Sequence, residues 1–293
     1  MTRFGLSVAL TTPFDENGDI LLDMMIAQVK RSLAAGCNSC TLFGTTGEGS
    51  SIGADERERV LTAVLDAGVS PRQIVVGVLV DSAEDAASQA GHALDRGVRN
   101  ILLAPPSYFK NVSDEGLFRW FSRVFSLLGE KARDILVYNI PSVTMVTLSV
   151  PLVARLREAF PGIVTGVKDS GGDWNHTQAL LKDHSDLVIL IGDERHLAQG
   201  VRMGGQGAIS GVANFAPKEV GAMANDGRDD DRVVDLVVEL LKHPVTPAVK
   251  AMLARELDDQ KWLAVRAPLL SISTDVQQQL GRVFDGLFRT KAA

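Results

Sequence analysis

Short runs rich in β-branched residues alternate along this chain with longer stretches whose apolar positions recur at helical spacing. Leu6–Leu10 predicts a strand, and Asp23–Ala35 a helix ended by Gly36. The pair recurs as Ser39–Phe43 with Ala54–Ala67, Ile74–Leu79 with Ala83–Arg96, and Asn100–Leu103 with Asp114–Leu128. It recurs again as Ile135–Asn139 with Val150–Ala159, and Ile163–Lys168 with Trp174–Lys182. Leu187–Ile191 with Glu194–Met203 and Gly207–Ser210 with Pro217–Ala224 complete the series. Regular alternation of strand and helix implies a parallel sheet. Eight such units in roughly 225 residues favour an α/β fold closed as a (β/α)8 TIM barrel over an open doubly wound sheet. Beyond about Asp226 the strands stop, and Arg228–Leu241, Pro247–Leu257 and Thr274–Phe288 are helical in period. The expected organisation is a barrel over residues 1–225 and a C-terminal helical extension over 226–293.

Composition narrows the partners. With 45 % hydrophobic and 23 % charged residues the chain is ordinary globular protein, long enough for a large core. Its net charge of −6 and the absence of a basic run argue against nucleic acid. No apolar run is long enough to span a bilayer, and Met1-Thr2-Arg3-Phe4-Gly5 has no signal-peptide character. The expectation is a cytoplasmic protein with no membrane or nucleic-acid partner. The two cysteines, Cys37 and Cys40, have C-x-x-C spacing. Zinc would need two further ligands, and the five histidines form no pair at ligand spacing, so no metal site is expected. Two small residues packed at a helix-to-strand junction is the preferred reading over a redox pair.

In a barrel of this kind, chemistry sits at the C-terminal ends of the strands and in the loops that follow. Lys168 ends the sixth strand, just before Asp169-Ser170-Gly171-Gly172. A lysine there either snorkels to water or is held for chemistry, since a desolvated amine becomes a usable nucleophile. Strand two runs into Gly44-Thr45-Thr46-Gly47-Glu48-Gly49. That loop offers two hydroxyls and several backbone N–H groups to a carboxylate or phosphate, or it merely closes a turn. It lacks the Gly-Lys-Ser/Thr ending of a nucleotide loop. Tyr138, at the end of strand five, is either a core tyrosine or an acid–base group. Gly204, Gly205, Gly207 and Gly211 are read as close-packing glycines rather than a phosphate site. Together a strand-end amine, an anion loop and a phenol supply what attack on a 2-oxo acid requires.

Gly44-Thr45-Thr46-Gly47-Glu48, Tyr138-Asn139-Ile140-Pro141 and Val167-Lys168-Asp169-Ser170 resemble the signature segments of the dihydrodipicolinate synthase / N-acetylneuraminate lyase family. Thr12-Pro13-Phe14, Gly192-Asp193-Glu194, Gly207-Ala208-Ile209-Ser210 and Pro247-Ala248-Val249-Lys250 extend the likeness over nearly the whole chain. The resemblance implies a barrel with C-terminal helices, assembled as a homotetramer of two tight dimers. It implies a Schiff base between Lys168 and pyruvate or another 2-oxo acid, with no separate cofactor. Tyr138 would shuttle protons beside the Thr45 hydroxyl. Thr46 and the backbone of Thr45–Thr46 would hold the keto acid's carboxylate, the main chain at Ile209 would lie close to it, and Gly47 and Gly192 would be substrate-binding.

Two positions depart from the synthase pattern. Val143 stands where the synthases carry an arginine for the aldehyde's carboxylate, and valine offers no charge-assisted bond. Losing such a partner costs about 2–3 kcal/mol, a factor of roughly a hundred in affinity. The synthases also place a tyrosine pair in the fourth loop, one member completing a relay across the dimer. Here the pair reads Tyr108-Phe109, leaving only Tyr108 to supply a hydroxyl. The preferred expectation is therefore a catabolic lyase, cleaving or dehydrating a 2-keto-3-deoxy sugar acid or a hydroxy-oxo acid. The alternatives are 4-hydroxy-tetrahydrodipicolinate synthase itself, a metal-dependent aldolase, and a non-catalytic barrel that binds keto acids.

Overall fold

The computed structural model describes residues 3–289. Residues 1–2, on which part of the leader reading falls, and 290–293, the end of the expected helical extension, lie outside it. The barrel strands are β1 (Gly5–Ala9), β2 (Ser39–Leu42), β3 (Ile74–Val78), β4 (Asn100–Leu103), β5 (Ile135–Asn139), β6 (Val164–Asp169), β7 (Val188–Ile191) and β8 (Gly207–Ser210). Each pairs in parallel with the next, and β8 pairs back onto β1, closing the sheet. The (β/α)8 barrel is thus the observed architecture.

The outer helices are α1 (Leu22–Ala34), α2 (Ala54–Asp66), α3 (Ala83–Asp95) and α4 (Asp114–Leu128). They continue as α5 (Pro141–Thr144), α6 (Val150–Ala159), α7 (Trp174–Asp183), α8 (Glu194–Arg202) and α9 (Pro217–Asp226). Their starts follow local chemistry. The side chains of Ser82, Ser113, Ser149, Asp173 and Asp193 accept first-turn N–H groups of α3, α4, α6, α7 and α8. The apolar stripe of each helix packs on the outward residues of the strands. For α4 that stripe is Leu117, Phe121, Val124, Phe125 and Leu128.

The inward residues form a second, smaller core that includes Ala9, Val75, Leu102, Leu136, Leu190 and Ile209. Polar contacts occupy its lower end. Ser7 and Thr41 hydroxyls lie 2.8 Å apart, and the Arg99 guanidinium stacks over Phe4. Gly166 is required by the sheet, because a Cβ there would come within 2.3 Å of the Val188 carbonyl oxygen.

Three further helices, α10 (Asp231–Leu240), α11 (Val245–Leu257) and α12 (Thr274–Phe288), follow the barrel. α11 is buried almost throughout from Thr246 to Ala254. Its first turn reaches the barrel mouth, where the Thr246 hydroxyl donates to the Thr45 carbonyl at 3.3 Å. Among the described residues, no helix is long and apolar enough to cross a membrane.

Candidate active site

Period-two alternation along β5 and β6 turns Leu136 and Tyr138, and Gly166 and Lys168, to the barrel interior. Register sets Tyr138 directly beside Lys168. Lys168 Nζ donates to the Tyr138 hydroxyl at 3.1 Å and lies 4.3 Å from the centre of its ring. Both side chains are buried, at 6 % and 2 % exposure. The Thr45 hydroxyl is 3.4 Å from the Tyr138 oxygen, so amine, phenol and threonine form a chain across the mouth.

The next residue outward fixes that geometry. Asp169 points away from the interior and accepts from Asn139 Nδ2 at 2.8 Å and the Thr177 hydroxyl at 2.7 Å. His176 Nδ1 lies 3.3 Å from Oδ2, the oxygen that Thr177 also reaches. Burial alone would raise the Asp169 carboxyl, but these hydrogen bonds hold it below the usual carboxylate value. The same contact raises His176. Asn139 also accepts the Leu148 N–H at 3.0 Å, tying the ends of β5 and β6 to the helices behind them.

The threonine turn is held from beneath. Phe43 has φ +58°, and Gly49 passes so close that a Cβ would sit 1.8 Å from the Phe43 carbonyl oxygen. Buried Arg57 donates to the Gly49 and Gly77 carbonyls at 2.7 and 2.8 Å. Glu48, in the left-handed region at φ +56°, sends its carboxylate down to Lys250 on α11. Among the described residues, the backbone N–H groups of Thr45 and Thr46 have no protein acceptor. They are free for an anion.

These groups line a cavity of about 180 Å³. Of the residues expected from sequence, Lys168, Tyr138, Thr45, Thr46, Val143, Gly192 and Ile209 meet there. Two do not. Gly47 faces the barrel wall, where a Cβ would lie 2.6 Å from the Leu10 carbonyl oxygen, and its own carbonyl accepts from Thr12. Tyr108 is 76 % exposed on the loop after β4, packed edge-on against the equally exposed Phe109.

Sequence reasoning missed other members of the site. Glu194, at the start of α8, is buried in the wall and accepts from the Ser210 hydroxyl at 2.5 Å. Burial drives its carboxyl pKa up, with the Ser210 bond and the Lys168 charge opposing. An acid one residue beyond the Gly192-Asp193 strand end was the available signal. Ser142 and Ser170 add hydroxyl-bearing positions, and Val237, Leu240, Leu241, Val245 and Val249 add an aliphatic part of the lining. Cys37 and Cys40 are both buried away from this cavity, and burial pushes the Cys37 thiol up to about 11. Neither has the thiolate character of a redox pair.

Comparison with known proteins gives one family. The model of the dihydrodipicolinate synthetase family matches residues 3–286. A 4-hydroxy-tetrahydrodipicolinate synthase of Hyphomonas neptunium is 34 % identical over 226 residues, covering 76 % of this chain and 75 % of that one. An uncharacterized DapA-like lyase of Chloroflexus aurantiacus is 29 % identical over 279 residues, covering 92 % of each. The crystal structure of a dihydrodipicolinate synthase from Agrobacterium tumefaciens superposes with a TM-score of 0.97 at 66 % identity. That match covers 98 % of this chain and 100 % of that one.

Proposed function

The chain belongs to the dihydrodipicolinate synthetase family of lyases, and from that premise we propose that it forms a Schiff base between Lys168 and pyruvate or another 2-oxo acid. The observation that carries the reading is the buried Lys168–Tyr138 contact of 3.1 Å, with Thr45 next in line. The keto acid's carboxylate sits on the free N–H groups of Thr45 and Thr46, and the Thr46 hydroxyl adds a third donor. Its C2 carbonyl then faces the amine. Neutral Lys168 attacks C2, and the phenol of Tyr138 relays protons as the carbinolamine forms and loses water. The iminium draws electrons from C3, so a C3–C4 bond can break or form there. No cofactor takes part, because the lysine itself supplies the electron sink.

We assign the acting compound to the 4-hydroxy-2-oxo acids or their dehydration substrates, in a catabolic direction. Val143 supports that choice. It stands 57 % exposed at the cavity edge and gives a second carboxylate no cation. A second reading, 4-hydroxy-tetrahydrodipicolinate synthase, is favoured by the names its relatives carry. By resemblance the working assembly is a homotetramer in the cytoplasm.

The test is to incubate the protein with pyruvate and borohydride and map the adduct by mass. A reduced adduct on Lys168, absent from Lys168→Ala, is the expected result. No adduct on folded protein would sink the Schiff-base reading. A coupled assay with pyruvate and aspartate semialdehyde separates the two activities: brisk turnover would establish the synthase.

A further inference from the structure

The cavity has two unlike halves. Lys168, Tyr138, Thr45 and Thr46 supply the polar groups that take the keto acid, with Ile140 and Ile209 packed in the same cluster as Tyr138. The rest of the lining is largely aliphatic and includes Val143, Val237, Leu240, Leu241, Val245 and Val249. Five of these come from α10 and α11 or the link between them, which the barrel pattern does not contain. Among the described residues, Lys168 is the only cationic side chain lining the cavity, and Schiff-base chemistry consumes it. The one acid in the wall, Glu194, is buried and already bonded to Ser210.

We propose that these aliphatic residues bind the remainder of the substrate as an uncharged, apolar group, so that the compound handled is a 4-hydroxy-2-oxo acid bearing an aliphatic or aromatic substituent at C4. The proposal rests on the Schiff-base reading above. In the cleavage direction the C4 hydroxyl gives up its proton and becomes the aldehyde carbonyl as the C3–C4 bond breaks. The electron pair passes into the iminium to give an enamine. C3 then takes a proton, and water releases pyruvate from the lysine. One hydroxy-oxo acid yields pyruvate and one apolar aldehyde, with no oxidant or reductant required.

The alternatives fail on the wall's chemistry. A second carboxylate would meet six aliphatic side chains and an acid, with no cation besides Lys168 among the described lining residues. A polyhydroxylated tail would set hydroxyls against the same aliphatics, where only Ser142, Ser170, Glu194 and Thr246 could answer them. An apolar chain loses nothing there and removes Leu241 and Val245, both partly exposed, from water.

The experiment runs the reaction in the condensation direction. Pyruvate is paired in turn with hexanal, glyceraldehyde and succinic semialdehyde, and the product acid is measured. The expected kcat/KM for hexanal is at least ~10-fold above both others. In Leu241→Lys the ratio of hexanal to succinic semialdehyde should fall by ~10-fold, because an ammonium replaces apolar wall. Equal or better turnover of either polar aldehyde by the unmodified protein overturns the proposal. So does an unchanged ratio in folded Leu241→Lys. If borohydride still traps pyruvate on Lys168 but hexanal gives no product, the apolar subsite falls while the Schiff base stands. Absence of the trapped adduct removes the Schiff base, and the subsite proposal with it.

Discussion

Replacing Lys250 by methionine should unfasten the threonine turn from the C-terminal helices. Lys250 and Glu48 form an ion pair in which both side chains are 0 % exposed. Glu48 also accepts the Arg266 backbone N–H at 2.8 Å, and Lys250 also donates to the Ala264 carbonyl. The ammonium lies 4.5 Å from the ring centre of Phe14. Burial pushes Lys250 down to about 8, with Glu48 pulling the other way. Desolvation on this scale means the pair adds little net stability over a well-packed apolar pair. Breaking it is another matter, because Lys250→Met leaves a buried carboxylate without its direct ion-pair partner, the Arg266 guanidinium being engaged by Glu56. The expected loss is about 3–5 kcal/mol. At roughly 2–4 °C per kcal/mol that lowers Tm by roughly 6–20 °C, measured at one protein concentration. Adding Glu48→Gln removes the orphaned charge and keeps an acceptor for Arg266, so the double variant should recover at least ~2 kcal/mol. Because Thr246, four residues from Lys250, holds the Thr45 carbonyl, the KM for pyruvate should rise in the single variant. A Lys250→Met protein within ~1 kcal/mol of the unmodified one, or a double variant as damaged as the two singles summed, refutes this account.

Two further outcomes follow from the same geometry. Tyr138→Phe keeps the ring beneath Lys168 and removes only the hydroxyl, so borohydride trapping should slow by ~10²–10⁴-fold while the fold persists; a change under about twofold would remove Tyr138 from the proton path. His176→Gln should cost more stability at about pH 5.5 than at about pH 9, read by denaturant unfolding. The Asp169 hydrogen bond raises His176 above its ordinary 6.5, so its contribution is complete below that value and lost as pH rises through the raised one. Asp169, held below its ordinary 3.8, contributes above that value and fails as pH falls through the lower one. An equal cost at both pH values would dissolve the coupling.

The barrel was legible because its signal is local and repeated. β4, β5 and β8, with α4, α6 and α12, occupy the residues that periodicity marks. β6 runs Val164–Asp169 rather than Ile163–Lys168, because Asp169 finds Asn139, Thr177 and His176 in space, and no local pattern announces those partners. α5 is four residues with Pro141 in its first turn, too short to show any period. Gly47 sits in the signature loop between Thr46 and Glu48, which marks it as substrate-binding by resemblance. Its close approach to Leu10 shows that the residue makes the turn and does not line the cavity.

The two halves of the cavity differ in legibility for a physical reason. The keto-acid half comes from strand ends, where neighbours in space are set by register: once β5 and β6 are placed, Tyr138 must stand beside Lys168. The second half comes from α10 and α11, whose apolar stripes are visible in sequence but whose facing surface is not. A stripe of Val233, Leu236, Val237 and Leu240 serves a helix packed on any neighbour, and only the fold turns Val237 and Leu240 toward Lys168. A family's signature loops therefore speak to the electrophile that the lysine captures. On the proposal above, what departs from it or joins it meets helices outside those loops, and the substrate panel interrogates that wall directly.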